Sequence, residues 1–155
     1  MNLHTQEDAP TSDKLAAEMK GIGVAARAAA RAMREASDEA KTKALTVGAA
    51  AIRARAEEIF AANRADLGAA RAAGMSAPLM DRLALDPKRL EAMAAGVETV
   101  AALPDPVGRE LARWSRPNGL DIARSATPFV VIGSIYESRP NVTADAGALA
   151  MKAGN

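Results

Sequence analysis

The 155-residue chain contains no cysteine. That excludes a disulfide scaffold, a thiolate zinc site and any thiol nucleophile within these residues. It has a single histidine, His4, in a polar leader. Neither a histidine metal cluster nor a Ser-His-Asp triad can be built from one imidazole, so no metal is expected. Aromatic residues are scarce, at 3%. No apolar run approaches the roughly 18 residues that a membrane-spanning helix needs, so no membrane partner is expected. The first ten residues carry Glu7 and Asp8 and no apolar core; they do not read as a signal peptide, and a cytoplasmic setting is the expectation. Nor is one sign of charge in excess. Lys and Arg total 20 against 19 Asp and Glu, a formal net charge of +1. That argues against nucleic acid as a partner and against an acidic tail.

What the chain does have is alanine, about a quarter of all residues. Alanine favours helix because it loses no side-chain entropy there. Residues 1–11 are polar and read as a disordered leader. From residue 13 to about 36, Leu15, Met19, Ile22, Ala26, Ala30 and Met33 recur at spacings of three and four and predict a helix with one apolar face. Thr11 or Ser12 is its candidate cap. Arg27, Arg31 and Arg34 lie off the stripe, as a solvated face. Ser37 is the next cap, with Asp38 and Glu39 where the helix dipole favours acids. Leu45, Ala49, Ile52, Ala56, Ile59 and Phe60 continue that helix to about Asn63. A further piece spans 65–73 and stops at Gly74. Ser76-Ala77-Pro78 and Asp86-Pro87 each open another helix, with proline in the tolerated first turn. Leu90, Met93, Val97 and Val100 form the expected buried face of the last one, which Pro104-Asp105-Pro106 ends.

After Pro106 the texture changes. Segments 111–115 and 120–126 predict a hairpin around Arg116-Pro117-Asn118-Gly119, since Asn and Gly both tolerate positive φ. The run Phe129-Val130-Val131-Ile132-Gly133-Ser134-Ile135 suits a parallel strand buried on both faces. Residues 136–141 read as a loop, Thr143 as the cap of a helix over 144–152, and Gly154 as its stop. A parallel strand needs neighbours, and its partner would follow Asn155. The chain therefore reads as the N-terminal piece of a longer protein.

A loop between the end of a parallel strand and a helix N-terminus is where open α/β sheets bind ligands. The helix end offers N–H groups to an anion. Arg139 adds a guanidinium suited to phosphate or carboxylate. Asn141 adds an amide donor suited to a developing oxyanion. The same residues also fit a plain strand–loop–helix in which Arg139 pairs with Glu137 and Asn141 caps the helix. No Gly-x-Gly-x-x-Gly is present.

The run Ile135-Tyr136-Glu137-Ser138-Arg139-Pro140-Asn141-Val142-Thr143-Ala144-Asp145-Ala146, closed by Lys152-Ala153-Gly154-Asn155, resembles the γ-glutamyl phosphate reductase family of the aldehyde dehydrogenase superfamily. Ala62-Asn63, Asp66-Leu67, Asp81-Arg82-Leu83, Leu103-Pro104-Asp105-Pro106-Val107-Gly108 and Arg116-Pro117-Asn118-Gly119-Leu120 resemble it too, so the likeness covers about 14–155. It implies an α/β fold: N-terminal helices, a β-hairpin, then the first strand–loop–helix of an aldehyde-dehydrogenase-like Rossmann-type domain, incomplete here. Residues 12–106 would be a helical segment. Residues 107–155 would be the hairpin and the start of a cofactor-binding domain, truncated.

The implied activity is NADPH-dependent reduction of L-glutamyl 5-phosphate to glutamate 5-semialdehyde, a step of proline biosynthesis, through a cysteine that these residues lack. The piece alone is then expected to be inactive, and the full-length protein to be a homo-oligomer. By the resemblance Asn141 is the oxyanion-holding catalytic residue. Tyr136, Glu137 and Ser138 lie along the cofactor, and Arg139 binds substrate. Val130 departs from the pattern, standing where the family has glycine. The other readings are a different acyl-phosphate or aldehyde dehydrogenase of the superfamily, and a non-enzymatic helical interaction module.

Overall fold

In the computed structural model, which describes residues 12–155, the alanine-rich part of the chain forms helices α1 (Ser12–Glu35), α2 (Asp38–Ala54), α3 (Ala56–Ala72), α4 (Ala77–Leu83) and α5 (Pro87–Ala101). The leader 1–11, with His4 and the candidate cap Thr11, lies outside the described residues. Two helix starts are capped by side chains, the expected one at Ser37 and one at Asp86. Ser37 Oγ accepts from the Ala40 N–H at 3.1 Å, and the Asp86 carboxylate accepts from the Arg89 N–H at 2.7 Å. Each satisfies a backbone donor that the first helical turn leaves free.

The expected break near Asn63 does not occur. The chain bends instead at Arg55 (φ −103°, ψ 23°), and α3 runs through Asn63 to Ala72. Asn63 is 5% exposed. Its Nδ2 donates to the Leu83 carbonyl and its Oδ1 accepts from the Leu85 N–H, each at 2.8 Å. A buried amide with both ends paired holds α3 to the α4–α5 connection.

Helices α2 and α5 pack with α6 (Pro140–Lys152) around Leu45, Ala49, Ala94, Val97, Ala101 and Ala148. Ala49 and Ala94 are fully buried; such small side chains let the helix axes approach closely. The α1 stripe behaves otherwise. Leu15, Met19 and Ile22 are exposed, and Ala30 is the buried residue of that helix.

Two buried lysines border the core. Lys41 pairs with Asp105. Lys152, 3% exposed, reaches Asp38 Oδ1 at 2.5 Å, Thr42 Oγ1 at 2.9 Å and the Ala101 carbonyl at 3.0 Å. Its three ammonium protons are thereby matched by three acceptors.

Strands β1 (Glu110–Ser115) and β2 (Asp121–Ser125) pair antiparallel, with Trp114 opposite Ile122. The turn is not a two-residue Asn-Gly turn. Gly119 alone takes positive φ (85°), and its N–H donates to the Arg116 carbonyl at 3.0 Å. Pro117 fixes φ one residue after Arg116 and sets a three-residue loop, with glycine in the left-handed position that closes it.

The largest departure is at 129–135. Among the described residues this segment pairs with no strand, and the sheet has two strands. Phe129 is 85% exposed and Ile135 fully so. The expected strand buried on both faces is thus an unpaired, exposed run, because no neighbouring strand lies within the described residues to accept its hydrogen bonds. Val130 holds φ 93°, a region costly for a β-branched side chain. That is the position where the family resemblance expects glycine. The Val130 N–H donates to Asn155 Oδ1 at 3.1 Å. Next to Asn155, Gly154 (φ 77°) ends α6, and a Cβ there would meet Pro128 Cγ at 3.0 Å and Val107 Cγ2 at 3.1 Å.

Candidate functional site

Helix α6 begins at Pro140, four residues before its expected start. Proline supplies no N–H and a helical φ, which suits a first position. Arg139 takes the N-cap place without a side-chain capping bond. The connecting loop is therefore 136–139, and Asn141 and Thr143 stand in the first turn. Thr143 does not cap; its Oγ1 lies 2.7 Å from the Tyr136 hydroxyl. That bond ties the loop to the helix it feeds. Ser138 sits in the left-handed region at φ 52° and reverses the chain just before the helix.

Two cavities flank this corner. The first, about 580 Å³, is walled by Ile52, Ile59, Leu83, Leu85 and Met93, with Tyr136 and Ser138 on the loop side. The second, about 520 Å³, is lined by Asp81, Arg82, Arg89, Arg139, Asn141 and Asp145. Arg139, Pro140, Leu85 and Met93 line both, so Arg139 stands on the shared wall. The chain thus sets a largely apolar cavity, with Asp66 and Arg139 on its lining, beside a charged one. Of the residues singled out from sequence, Tyr136 and Ser138 meet in the first, Arg139 and Asn141 meet in the second, and Glu137 lines neither.

Within the second cavity the charges sort themselves. Asp81 pairs with Arg89 at 2.9 Å, and Arg89 also donates to the Ala84 carbonyl at 2.8 Å. Asp145 Oδ2 accepts from Asn141 Nδ2 at 3.2 Å, one helical turn away. Glu137 does not pair with Arg139 among the described residues. An asparagine amide has two N–H donors; Asp145 uses one, and the other has no protein partner among the described residues.

The contributions of Arg82, Arg89 and Asp145 were not singled out from sequence. The motif Asp81-Arg82-Leu83 was the available signal. What hid its place on the cavity wall is that α4 and α6 lie far apart in the chain.

A cleft at a helix N-terminus, furnished with guanidinium and amide donors beside an apolar chamber, defines the class as a small-molecule site on a partial α/β domain. The relatives of the chain are gamma-glutamyl phosphate reductases. The protein of that name from Caulobacter vibrioides is 59% identical over 137 residues, 88% of this chain and 33% of the relative. That from Methylocella silvestris is 58% identical over 154 residues, 99% of this chain and 35% of the relative. The crystal structure of the Thermotoga maritima protein superposes with a TM-score of 0.81 at 45% identity, covering 84% of this chain and 31% of its own. The Saccharomyces cerevisiae structure gives 0.77 at 33% identity, covering 84% and 33%. No protein-family model matches the chain. The chain spans about a third of the length of the curated relatives it matches, and over that third it is similar to gamma-glutamyl phosphate reductases.

Proposed function

We propose that the chain supplies one wall of the active site of a reductase that converts L-glutamyl 5-phosphate to L-glutamate 5-semialdehyde and phosphate, with NADPH as cofactor, in proline biosynthesis. The observation that supports this reading is the meeting of Arg139 and Asn141 in one cavity at the start of α6. Arg139 binds an anionic end of the substrate, phosphate or carboxylate, through its planar fork. Asn141, its amide held by Asp145, points its remaining N–H at the oxygen on which negative charge develops. Such a donor lowers the barrier by about 3 kcal/mol.

The neighbouring apolar cavity is of a size and lining that fit a nicotinamide ring. Tyr136 and Ser138 are the polar contacts from the loop, with Glu137 between them in the chain, and Asp66, Arg139 and Thr143 add polar groups from elsewhere on the lining. A reduced nicotinamide bound there supplies hydride to the acyl carbon. The thiolate that displaces phosphate comes from outside these residues, which hold no cysteine. Residues 12–106 then serve as helical support, and 107–155 begin the cofactor-binding unit. No described helix is long and apolar enough to cross a membrane. We place the whole protein in the cytoplasm as a homo-oligomer.

The test is a chimera in which residues 12–155 replace the matching third of the Caulobacter vibrioides reductase. Phosphate-dependent reduction of NADP⁺ by glutamate 5-semialdehyde, the reverse reaction, is the readout. Activity within about tenfold of the parent supports the reading, since one decade is only about 1.4 kcal/mol of barrier. A folded chimera without activity overturns it.

A further inference from the structure

The second cavity holds more cationic character than its paired residues use. Three guanidinium groups line it, from Arg82, Arg89 and Arg139, against the carboxylates of Asp81 and Asp145. Arg89 is engaged by Asp81 and by a backbone carbonyl, and Asp145 is engaged by Asn141. Arg82 and Arg139 have no ion-pair partner among the described residues. They reach the same cavity from different elements, Arg82 from the last turn of α4 and Arg139 from the N-cap of α6. In this setting an unpaired guanidinium raises the local concentration of anions and can make two parallel bonds to one oxyanion.

We propose that Arg82 is a second anion-binding group, and that the cavity is a two-point site for an oxyanion-bearing small molecule, gripped by Arg82 on one side and Arg139 on the other. This rests on the functional reading above, and it assigns to α4 a part in substrate recognition. A substrate with an anionic group at each end, such as a phosphorylated acidic amino acid, fills both points. A molecule with one such group fills either.

The arms of the test separate phosphate from carboxylate. The 155-residue chain is titrated with inorganic phosphate in one arm and L-glutamate in the other, by calorimetry and by the Nε–Hε signals of its arginines. Both the Arg82 and the Arg139 signals move in at least one arm. Arg82→Gln weakens that binding about tenfold, the loss expected of a charge-assisted pair, with an unchanged circular dichroism spectrum. Arg71→Gln, in the last turn of α3 and lining neither cavity, leaves it unchanged. The arm that weakens identifies the group Arg82 takes. Wild-type-like affinity of Arg82→Gln in both arms overturns the proposal, as does the absence of any Arg82 shift. An Arg139→Gln loss without an Arg82→Gln loss overturns it while leaving the functional reading standing. An inactive chimera beside intact two-arginine binding overturns the functional reading and leaves the anion site.

Discussion

Asn141 and Arg139 stand side by side yet make different demands on a reaction. An amide donor that meets charge only as it develops acts on kcat, whereas a guanidinium that meets an anion already present acts on KM. In the chimera, Asn141→Ala is expected to lower kcat by about 10²–10³ with KM little changed. Arg139→Lys is expected to raise KM, because an ammonium cannot make the bidentate fork. Steady-state kinetics on the two variants checks both, and a pattern with the effects exchanged would refute the assignment. Val130 is a test of backbone strain. Its φ of 93° sets a branched side chain where glycine rests without cost. Val130→Gly should stabilise the chain by about 1 kcal/mol, after the entropy glycine loses on folding is subtracted. Thermal melting of the 155-residue chain reads it directly.

At the scale of elements, the two lysines that border the core join segments distant in sequence, Lys41 tying α2 to the connection after α5 and Lys152 tying α6 to α2 and α5. Burial raises the Asp105 pKa, but the Lys41 ammonium and the Val107 N–H outweigh it and hold the carboxyl below its ordinary range. A depressed folded pKa contributes stability that is present above the unfolded value and lost as pH falls through the folded one. Melting temperature should therefore drop on acidification below the normal Asp range. Asp105→Asn should flatten that acid limb and also cost about 3 kcal/mol near neutrality, since Lys41 keeps a buried charge without its partner. A pH series of melts on both proteins decides the point.

The helices, their caps and the hairpin were legible in the sequence because they rest on local chemistry: a serine oxygen at Ser37, a carboxylate at Asp86, proline and glycine about Asn118. The bend at Arg55 was not, since no helix-breaking residue marks it. Asn63 looked like a terminus because its side chain is polar; a distant backbone claims that side chain. At the start of α6 two signals compete, Thr143 as a cap and Pro140 as a first residue, and the proline sets the boundary. In the site, loop and helix showed themselves, but the α4 side of the cavity is a tertiary fact.

The whole molecule presents an unusual distribution of apolar surface. Phe129, Ile132 and Ile135 are exposed along one unpaired run, and a cavity of about 630 Å³ lies between that run and α6. A surface of this kind associates unless something covers it. The 155-residue chain should bind the dye ANS, and the chimera, with the rest of the reductase in place, should bind markedly less. Fluorescence titration of the two compares them, and equal binding would show that the run stays bare in the larger protein.

The ammonium of Lys152 and the carboxylate of Asp38 are 114 positions apart in the chain. During synthesis at about 5–20 residues per second, α2 leaves the ribosome several seconds before the side chain that neutralises its first turn exists. Until then Asp38 lacks the ammonium that pairs with it in the folded chain. The three acceptors of this one ammonium thus lie 51, 110 and 114 positions away in the chain, pairings of the non-local kind that slow folding relative to helix-by-helix contacts.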